Sequence, residues 1–430
     1  MKGIIILEVG KILTIIRHKT MLPNDRSPIK GDRMPGNKNS IIPDGYEGRE
    51  QAIIKHELLK SYLEKLFLII GMGSGKLGVP ELCYVDCFAG PWLDDSEDLD
   101  STSIAISLRI LDKVRHELIR QGRNLRFRAL YVEKDKTAFK RLERYLRERT
   151  PSGIEAEAME GDFVELRQRI LGWCGEQPFV FFFIDPTKWS PVGVEILRPL
   201  LQRPQSEFLI NFMYDFVNRA ASIEDLKVQM IDLLGEAPEV KDLHGDEREK
   251  RLLDIYRRNL KHLLPRKWPA RSAYVRVLDR KKERPKYHLV YLTSHPRGIV
   301  EFMEISETLD QIQKWVRAET KQRNRISKTG QQELFSSDQL LRTDDGNVYI
   351  EEVEQYWLTY LSSQLKKVGW EEFADMLEET DWFPRDLQCA LGNLMRAKKV
   401  KNLDASGKRR KNFLHLDKGG ERLQLVEEER

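Results

Sequence analysis

The sequence predicts an α/β protein built on a doubly wound, mainly parallel sheet, and three observations support this fold class. Four short runs, three of them rich in β-branched and aromatic residues, each end in an acidic side chain. Amphipathic segments of helical spacing separate these runs, as in βαβ units. The carboxyl ends of parallel strands open on one crevice, where such sheets bind ligands. We therefore expect a ligand site formed by the acids that end the runs: Asp86, Glu133, Asp162 and Asp185.

The run Leu82–Asp86 predicts the central strand and a ligand-binding turn. It is followed by small residues and a proline, which indicate a tight turn where a backbone can approach a ligand closely. The residues of this turn are Phe88, Ala89, Gly90 and Pro91.

Composition limits the class of protein. A length of 430 residues suggests two or three domains. The net charge of +4 carries no information about an anionic partner, and the four cysteines form no CxxC pair. For Cys83 and Cys87, on the central strand, we therefore predict buried thiols in a reducing cytoplasm and no metal site. The apolar stretch from Gly3 to Ile16 is too short for a membrane span of about 20 residues and holds two charges.

The order of segments predicts a core domain and a C-terminal domain. We expect the functional chain to begin near Met21 or Met34, after a mis-assigned start or a loosely packed extra strand. The predicted segments are a disordered or mis-assigned N-terminus at 1–45, an α/β domain at 46–318 with a helical insertion at 222–264, a polar linker at 319–347, and a second domain at 348–430.

Periodicity and capping residues place the elements of the α/β domain. An amphipathic helix at 47–70 leads into Gly71–Gly78, which matches GxGxxG but follows a helix, so we interpret it as a flexible connection. Ser101 or Thr102 caps the next helix, which ends near Gln121. Further helices are predicted at 135–148, 163–173, 191–202 and 299–318, a fifth strand at 206–213, and a hairpin at 272–278 and 286–293.

The C-terminal segment resembles a winged helix. Helices are predicted at 356–366, 371–379 and 384–398, and strands at 400–403 and 413–416. A basic run, Arg266–Lys286, and the basic wing favour nucleic acid as a partner over a merely solvated face. In the wing and at the end of its helix, the residues expected to contact phosphates are Lys398, Lys399, Lys401, Lys408, Arg409, Arg410 and Lys411.

The order of several motifs resembles the three-Cys-motif partner protein (TcmP) family of class I S-adenosylmethionine-dependent methyltransferase-like proteins. The resemblance covers about residues 46 to 315 and depends on the order of the motifs, because none is specific alone. The motifs are Lys55-His56, Tyr84–Pro91, Tyr131–Asp135, Phe183–Pro186, Leu209–Phe212 and Tyr287–Thr293. It implies a Rossmann-like sheet of five βα units closed by a hairpin whose last strand is antiparallel.

The resemblance also implies a cofactor, S-adenosylmethionine, and roles for the strand-end residues. Asp86 would lie near the methionine moiety with Phe88–Pro91 against it, Glu133 would accept from the ribose hydroxyls, and Asp162 from the adenine amine. Methyl transfer from a sulfonium requires positioning rather than a protein nucleophile. Trp92 replaces a glycine common in such turns.

Asp185-Pro186-Thr187-Lys188-Trp189 resembles the Asp-Pro-Pro-aromatic motif of amino-methyltransferases. In that motif the acid accepts from an exocyclic amine while the aromatic side chain stacks on the base. Here the second proline is missing, and the aromatic residue is displaced by one position. Lys188 introduces a cation that would repel the positive charge of the sulfonium or would hold a phosphate. The candidate catalytic residues are Asp185, Pro186, Lys188 and Trp189.

Two hypotheses of function follow. The first is a cytoplasmic S-adenosylmethionine-dependent methyltransferase acting on nucleic acid or on a nucleic-acid-associated substrate. The alternative is a non-enzymatic adaptor with the same fold that serves a three-cysteine radical S-adenosylmethionine-like partner protein. The altered motif at Asp185 and the presence of Trp92 motivate the alternative.

Overall fold

A seven-stranded mixed sheet forms the centre of the fold. The computed structural model describes residues 46, 50–90, 102–265, 269–279, 282–329, 348–362, 365–405 and 413–426, with backbone alone at 321–329. The strands are β1 (Glu81–Asp86), β2 (Arg126–Glu133), β3 (Ile154–Glu160), β4 (Phe179–Ile184), β5 (Ser206–Phe212), β6 (Arg271–Leu278) and β7 (Pro285–Thr293).

The strand order is β3-β2-β1-β4-β5-β7-β6. The first five strands in this order are parallel, and β7 runs antiparallel to both β5 and β6. The chain therefore has the five parallel strands closed by a hairpin that the sequence predicts. Because β1 lies between β2 and β4, the carboxyl ends of these strands meet in the middle of one sheet edge.

Alternating side chains of the strands enter two separate cores, one on each face of the sheet. Tyr84 of β1 packs in the first core, whereas Cys83 and Val85 pack in the second. All six residues of β4 are buried, as expected for a central parallel strand covered on both faces. The helices around the sheet are α1 (Glu50–Leu77), α2 (Ser103–Arg120), α3 (Lys136–Arg149), α4 (Phe163–Cys174), α5 (Val194–Leu201), α6 (Tyr214–Ala220), α7 (Lys227–Leu234), α8 (Gly245–Lys261) and α9 (Pro296–Thr329).

The glycine-rich segment after residue 70 is helical, so its interpretation as a flexible connection was wrong. α1 continues to Leu77. At Gly71 the side chain of Leu118 from α2 lies so close that an added Cβ would collide with it. The glycine therefore serves close packing of two helices, which offsets its low helix propensity.

The described residues of the C-terminal segment form three helices and a small sheet. The helices are α10 (Ile350–Leu361), α11 (Trp370–Thr380) and α12 (Pro384–Arg396), and the strands β8 (Lys366–Val368), β9 (Val400–Asn402) and β10 (Glu421–Leu425) pair in the order β8-β10-β9. Two predictions were wrong here. Residues 413–416 form no strand, since β10 pairs with β9 instead, and residues 366–368 form a strand rather than a helix end.

Ion pairs attach α11 to the α/β domain. Arg271 at the start of β6 is buried and pairs with Glu371 at 2.6 Å and with Asp375. Lys261 pairs with Glu378 at 2.6 Å. The winged-helix segment is thereby held on the edge strand of the sheet rather than only through the chain between them.

The last helix of the α/β domain is longer than the sequence predicts. α9 continues to Thr329, past the residue 318 where sequence periodicity places its end. The N-terminal predictions for residues 1–45 lie outside the described residues. None of the helices in the described part of the chain has both the length and the apolar character that a membrane crossing requires.

Candidate functional site at the strand ends

Asp86 ends β1 as a fully buried carboxylate at the centre of the predicted edge. Its Oδ2 accepts from Ser103 Oγ at 2.6 Å, and its Oδ1 accepts from the backbone N–H of Phe88 at 3.1 Å. Burial raises the pKa of Asp86 to about 6, these hydrogen bonds oppose the rise, and the neighbouring charge of Asp185 adds to it. Asp86 is therefore a carboxylate that gains stability from a nearby cation or a proton.

Asp185 follows β4 and is held by two side chains from other elements. Asn211 of β5 donates from Nδ2 to Asp185 Oδ1 at 2.8 Å, and Lys55 of α1 pairs with Oδ2. The Asp185 and Lys55 side chains are 16% and 17% exposed. Both carboxylate oxygens thus have protein partners. Asn211 Oδ1, by contrast, is buried without a hydrogen-bond partner in the described structure.

Glu133 and Asp162 lie at the ends of β2 and β3, as predicted, and each supports a local turn. The buried Glu133 accepts through Oε1 from the backbone N–H of Asp135 at 2.6 Å. Asp162 caps α4 by accepting from Val164 N at 2.9 Å, and its second oxygen lies 3.8 Å from Lys134 Nζ. The backbones of the two ends are joined by a hydrogen bond from Gly161 N to Glu133 O.

The turn after β1 crosses the carboxyl ends of its neighbours. Cys87 N donates to Phe183 O and Ala89 N to Val132 O, both at 2.9 Å. The ring of Phe88 contacts that of Phe163 at a centroid distance of 5.0 Å. Gly90 is half-buried. Pro91 and Trp92 lie outside the described residues.

The residues after Asp185 are arranged less closely around the site. Pro186 is buried, Trp189 is half-buried against the second core, and Lys188 is exposed. The structure therefore joins Asp185 to Lys55 and Asn211 rather than to Lys188.

Three residues of this cluster received no role from the sequence: Lys55, Ser103 and Asn211. Lys55 and Asn211 stand inside motifs of the family resemblance, which was the only available signal for them. Ser103 opens α2, and its hydroxyl donates to Asp86 at the end of β1. These contacts join positions 17 to 130 residues apart in sequence, so local patterning does not reveal them.

The predicted nucleic-acid residues fall into described and undescribed groups. Lys398, Lys399 and Lys401 are exposed near the end of α12 and on β9. Lys408, Arg409, Arg410 and Lys411 lie outside the described residues. In the basic run 266–286, Arg271 joins α11, and Arg276 pairs with Asp246 at 2.8 Å and Glu249 at 2.7 Å. Among the described cations of that run, Arg271, Arg276 and Arg284 therefore serve internal ion pairs.

Comparison with known proteins agrees with the two-part architecture. A sequence profile described as "GMT-like wHTH domain" matches residues 321–407. No curated protein matches the chain in sequence. These matches do not by themselves show the TcmP family.

Solved structures similar to the chain include several methyltransferases. An O-methyltransferase from Bacillus cereus in complex with SAH is 10% identical, with 66% of this chain and 90% of that chain covered and a TM-score of 0.30. Human methyltransferase-like protein 13 in complex with SAH is 14% identical, with 49% and 95% covered and a TM-score of 0.24. A protein from Legionella pneumophila str. Philadelphia 1 is 12% identical, with 62% and 92% covered and a TM-score of 0.34.

The strand order and the profile match define the class of fold. The chain has a doubly wound, Rossmann-like sheet followed by a C-terminal winged helix-turn-helix domain. The fold class predicted from the sequence is confirmed.

Proposed function

We propose that the chain is a cytoplasmic S-adenosylmethionine-dependent methyltransferase acting on nucleic acid or on a nucleic-acid-associated substrate. The observation that carries this proposal is the cluster of Asp86, Asp185, Lys55 and Asn211 at the carboxyl ends of β1, β4 and β5. It lies on the edge where a doubly wound sheet binds its ligand.

In this proposal the residues at the ends of β1, β2 and β3 hold the methyl donor. Asp86 attracts the ammonium of the methionine moiety, because its buried carboxylate gains from a cation. Glu133 accepts from the ribose hydroxyls and Asp162 from the adenine amine. The cofactor supplies an already activated methyl group, so the protein residues bind and orient it and exclude water.

The residues at the ends of β4 and β5 orient the substrate that accepts the methyl group. Asp185 is fixed between Lys55 and Asn211, which leaves the oxygen of Asn211 as the buried acceptor without a partner. A substrate N–H or O–H that donates to this oxygen would relieve a cost of about 1–3 kcal/mol for the unsatisfied group. A substrate group that carries a hydrogen-bond donor is therefore favoured.

Cofactor binding is tested by isothermal titration of the full chain with S-adenosylmethionine and S-adenosylhomocysteine. We expect binding of both ligands and unchanged affinity in Asp185→Asn. Absence of heat from both ligands, in protein with a normal circular dichroism spectrum, contradicts the proposal.

Transfer is tested by incubation with labelled donor and total cellular DNA or RNA. Asp185→Ala and Asp185→Asn should lose transfer, whereas Glu165→Ala, which removes an exposed acid from α4, should retain it. Transfer that persists in both Asp185 variants would exclude a role for Asp185 in orienting the substrate.

The alternative is a non-enzymatic adaptor for a three-cysteine radical S-adenosylmethionine-like partner, as the TcmP resemblance implies. One observation favours it: both Asp185 oxygens already have protein partners, so a substrate amine would have to share the carboxylate with Lys55 and Asn211. Cofactor binding without transfer to DNA, RNA or protein, together with co-purification of such a partner, would support the adaptor.

A further inference from the structure

α3 carries a stripe of basic side chains on its exposed face. The helix has six basic and two acidic residues and buries only Leu142 and Leu146. With 3.6 residues per turn, four of the basic positions fall within about 80° of one another around the axis. We define these four as the α3 stripe: Lys136, Lys140, Arg144 and Arg147.

The α3 stripe differs from the basic run before the hairpin because its charges are unpaired. All four side chains are exposed, and none makes an ion pair with a described residue. Arg271 and Arg276, in the basic run before the hairpin, are instead tied to carboxylates of α11 and α8. Like charges four residues apart on a helix repel one another. The stripe has two such pairs, and the exposed Glu143 beside it forms no ion pair with a described residue.

The position of the stripe connects it with the strand-end edge. Asp135 caps α3, and its own backbone N–H donates to Glu133 at the end of β2. Lys136 therefore lies three residues beyond Glu133, and the stripe leads away from the edge for about 16 Å at 1.5 Å per residue. A nucleic-acid duplex carries roughly ten phosphate charges over that length.

We propose that the α3 stripe binds the phosphate backbone of the nucleic acid on which the protein acts. This proposal rests on the proposed action on nucleic acid and adds a contact surface separate from the winged helix. Exposed lysines and arginines without internal partners release counterions when they meet phosphates, which gives affinity without sequence preference. Occupation by an acidic protein segment is the competing outcome.

The test compares two variants of the full chain that each lose four positive charges. The stripe variant is Lys136→Gln, Lys140→Gln, Arg144→Gln and Arg147→Gln. Glutamine preserves helix propensity, so the fold should persist. The control variant changes exposed cations on α1, α4 and α8: Lys76→Gln, Arg169→Gln, Lys250→Gln and Arg251→Gln. Binding of a fluorescent DNA duplex and of an RNA of equal length is measured by anisotropy over a salt series.

We expect the stripe variant to bind at least about tenfold more weakly than the control near physiological salt. For duplex DNA the slope of log affinity against log salt should fall by about 3–4, at about 0.9 per lost phosphate contact. S-adenosylmethionine titration should be unchanged, because no strand-end residue is altered. Equal binding by the two variants overturns the proposal, as does absence of DNA and RNA binding by the unmodified protein at low salt. In the latter case intact cofactor binding shows that only the nucleic-acid part has failed.

Discussion

The two halves of the strand-end edge satisfy their acidic side chains in different ways. At β1 and β4, the buried Asp86 and the partly buried Asp185 receive hydrogen bonds or ion pairs from side chains of other elements. Asp86 also accepts from the backbone N–H of Phe88. At β2 and β3, Glu133 and Asp162 accept from backbone N–H groups two residues further along the chain. Side-chain partners from other elements therefore distinguish the first half, whereas local turn contacts predominate in the second.

Substitution of Lys55 should have the largest effect, because it removes the cation that pairs with Asp185 in the half of the edge formed by β1 and β4. Lys55→Met leaves the mostly buried Asp185 carboxylate without its cation, which should lower the free energy of unfolding by about 3 kcal/mol. Urea denaturation at neutral pH measures the change. Lys55→Arg keeps the charge and is the control.

A double variant separates lost pairing from lost packing. Lys55→Met combined with Asp185→Asn removes both charges and should recover a large part of the stability lost in Lys55→Met alone. No recovery in the double variant would mean that the aliphatic stem of Lys55, rather than its charge, stabilises α1 against the sheet.

Asp86→Asn should stabilise the protein at neutral pH. The folded-state pKa of Asp86 is raised from 3.8 to about 6, so ionisation costs stability as pH rises through 6, and this cost is absent below about pH 4. About two pKa units correspond to about 3 kcal/mol as an upper value. Thermal unfolding at pH 4 and pH 7.5 should show a gain for the variant at the higher pH alone. A gain of equal size at both pH values would contradict the raised pKa.

In the half of the edge formed by β2 and β3, Glu133→Gln should weaken cofactor binding without lowering the stability of the protein. Glutamine can still accept from Asp135 N, so the melting temperature should change little. Loss of a charged acceptor for the ribose hydroxyls should weaken S-adenosylhomocysteine binding by about tenfold or more. Glu160→Gln removes an exposed acid from the end of β3 and should bind normally. Equal affinities of the two variants would show that Glu133 serves only its turn.

The sequence predicts most of the α/β domain because its strands are short and are ended by acidic or turn residues, and the central strand β4 is fully apolar. Phe179–Ile184 has the predicted bounds, and Thr102 caps α2 as one of the two expected residues. Gly71–Leu77 and residues 413–416 were assigned wrongly for a shared reason. Contact with Leu118 and pairing of β10 with β9 decide their structure, and both are tertiary contacts that local propensity does not contain.

For the candidate site, the sequence predicts the positions of the acidic side chains but not the residues that pair with them. Each strand-end acid lies where a parallel strand ends, because that position follows from the strand alone. The partners of Asp185 come from α1 and β5, far away in sequence, so spacing gives no signal for them. The winged-helix attachment through Arg271 was missed for the same reason, since a basic run predicts charge but not which charges are paired.

Substitution of Asp162 should have the smallest effect and separates its two roles. Asp162→Ala loses the cap on Val164 N and should cost about 1 kcal/mol of stability. Asp162→Asn keeps the cap but places an amide N–H where the adenine amine would donate. It should therefore melt like the unmodified protein and bind S-adenosylhomocysteine about threefold to tenfold more weakly, as expected for one neutral hydrogen bond. If Asp162→Asn binds the ligand normally by titration, Asp162 is a helix cap and the adenine lies elsewhere along β3.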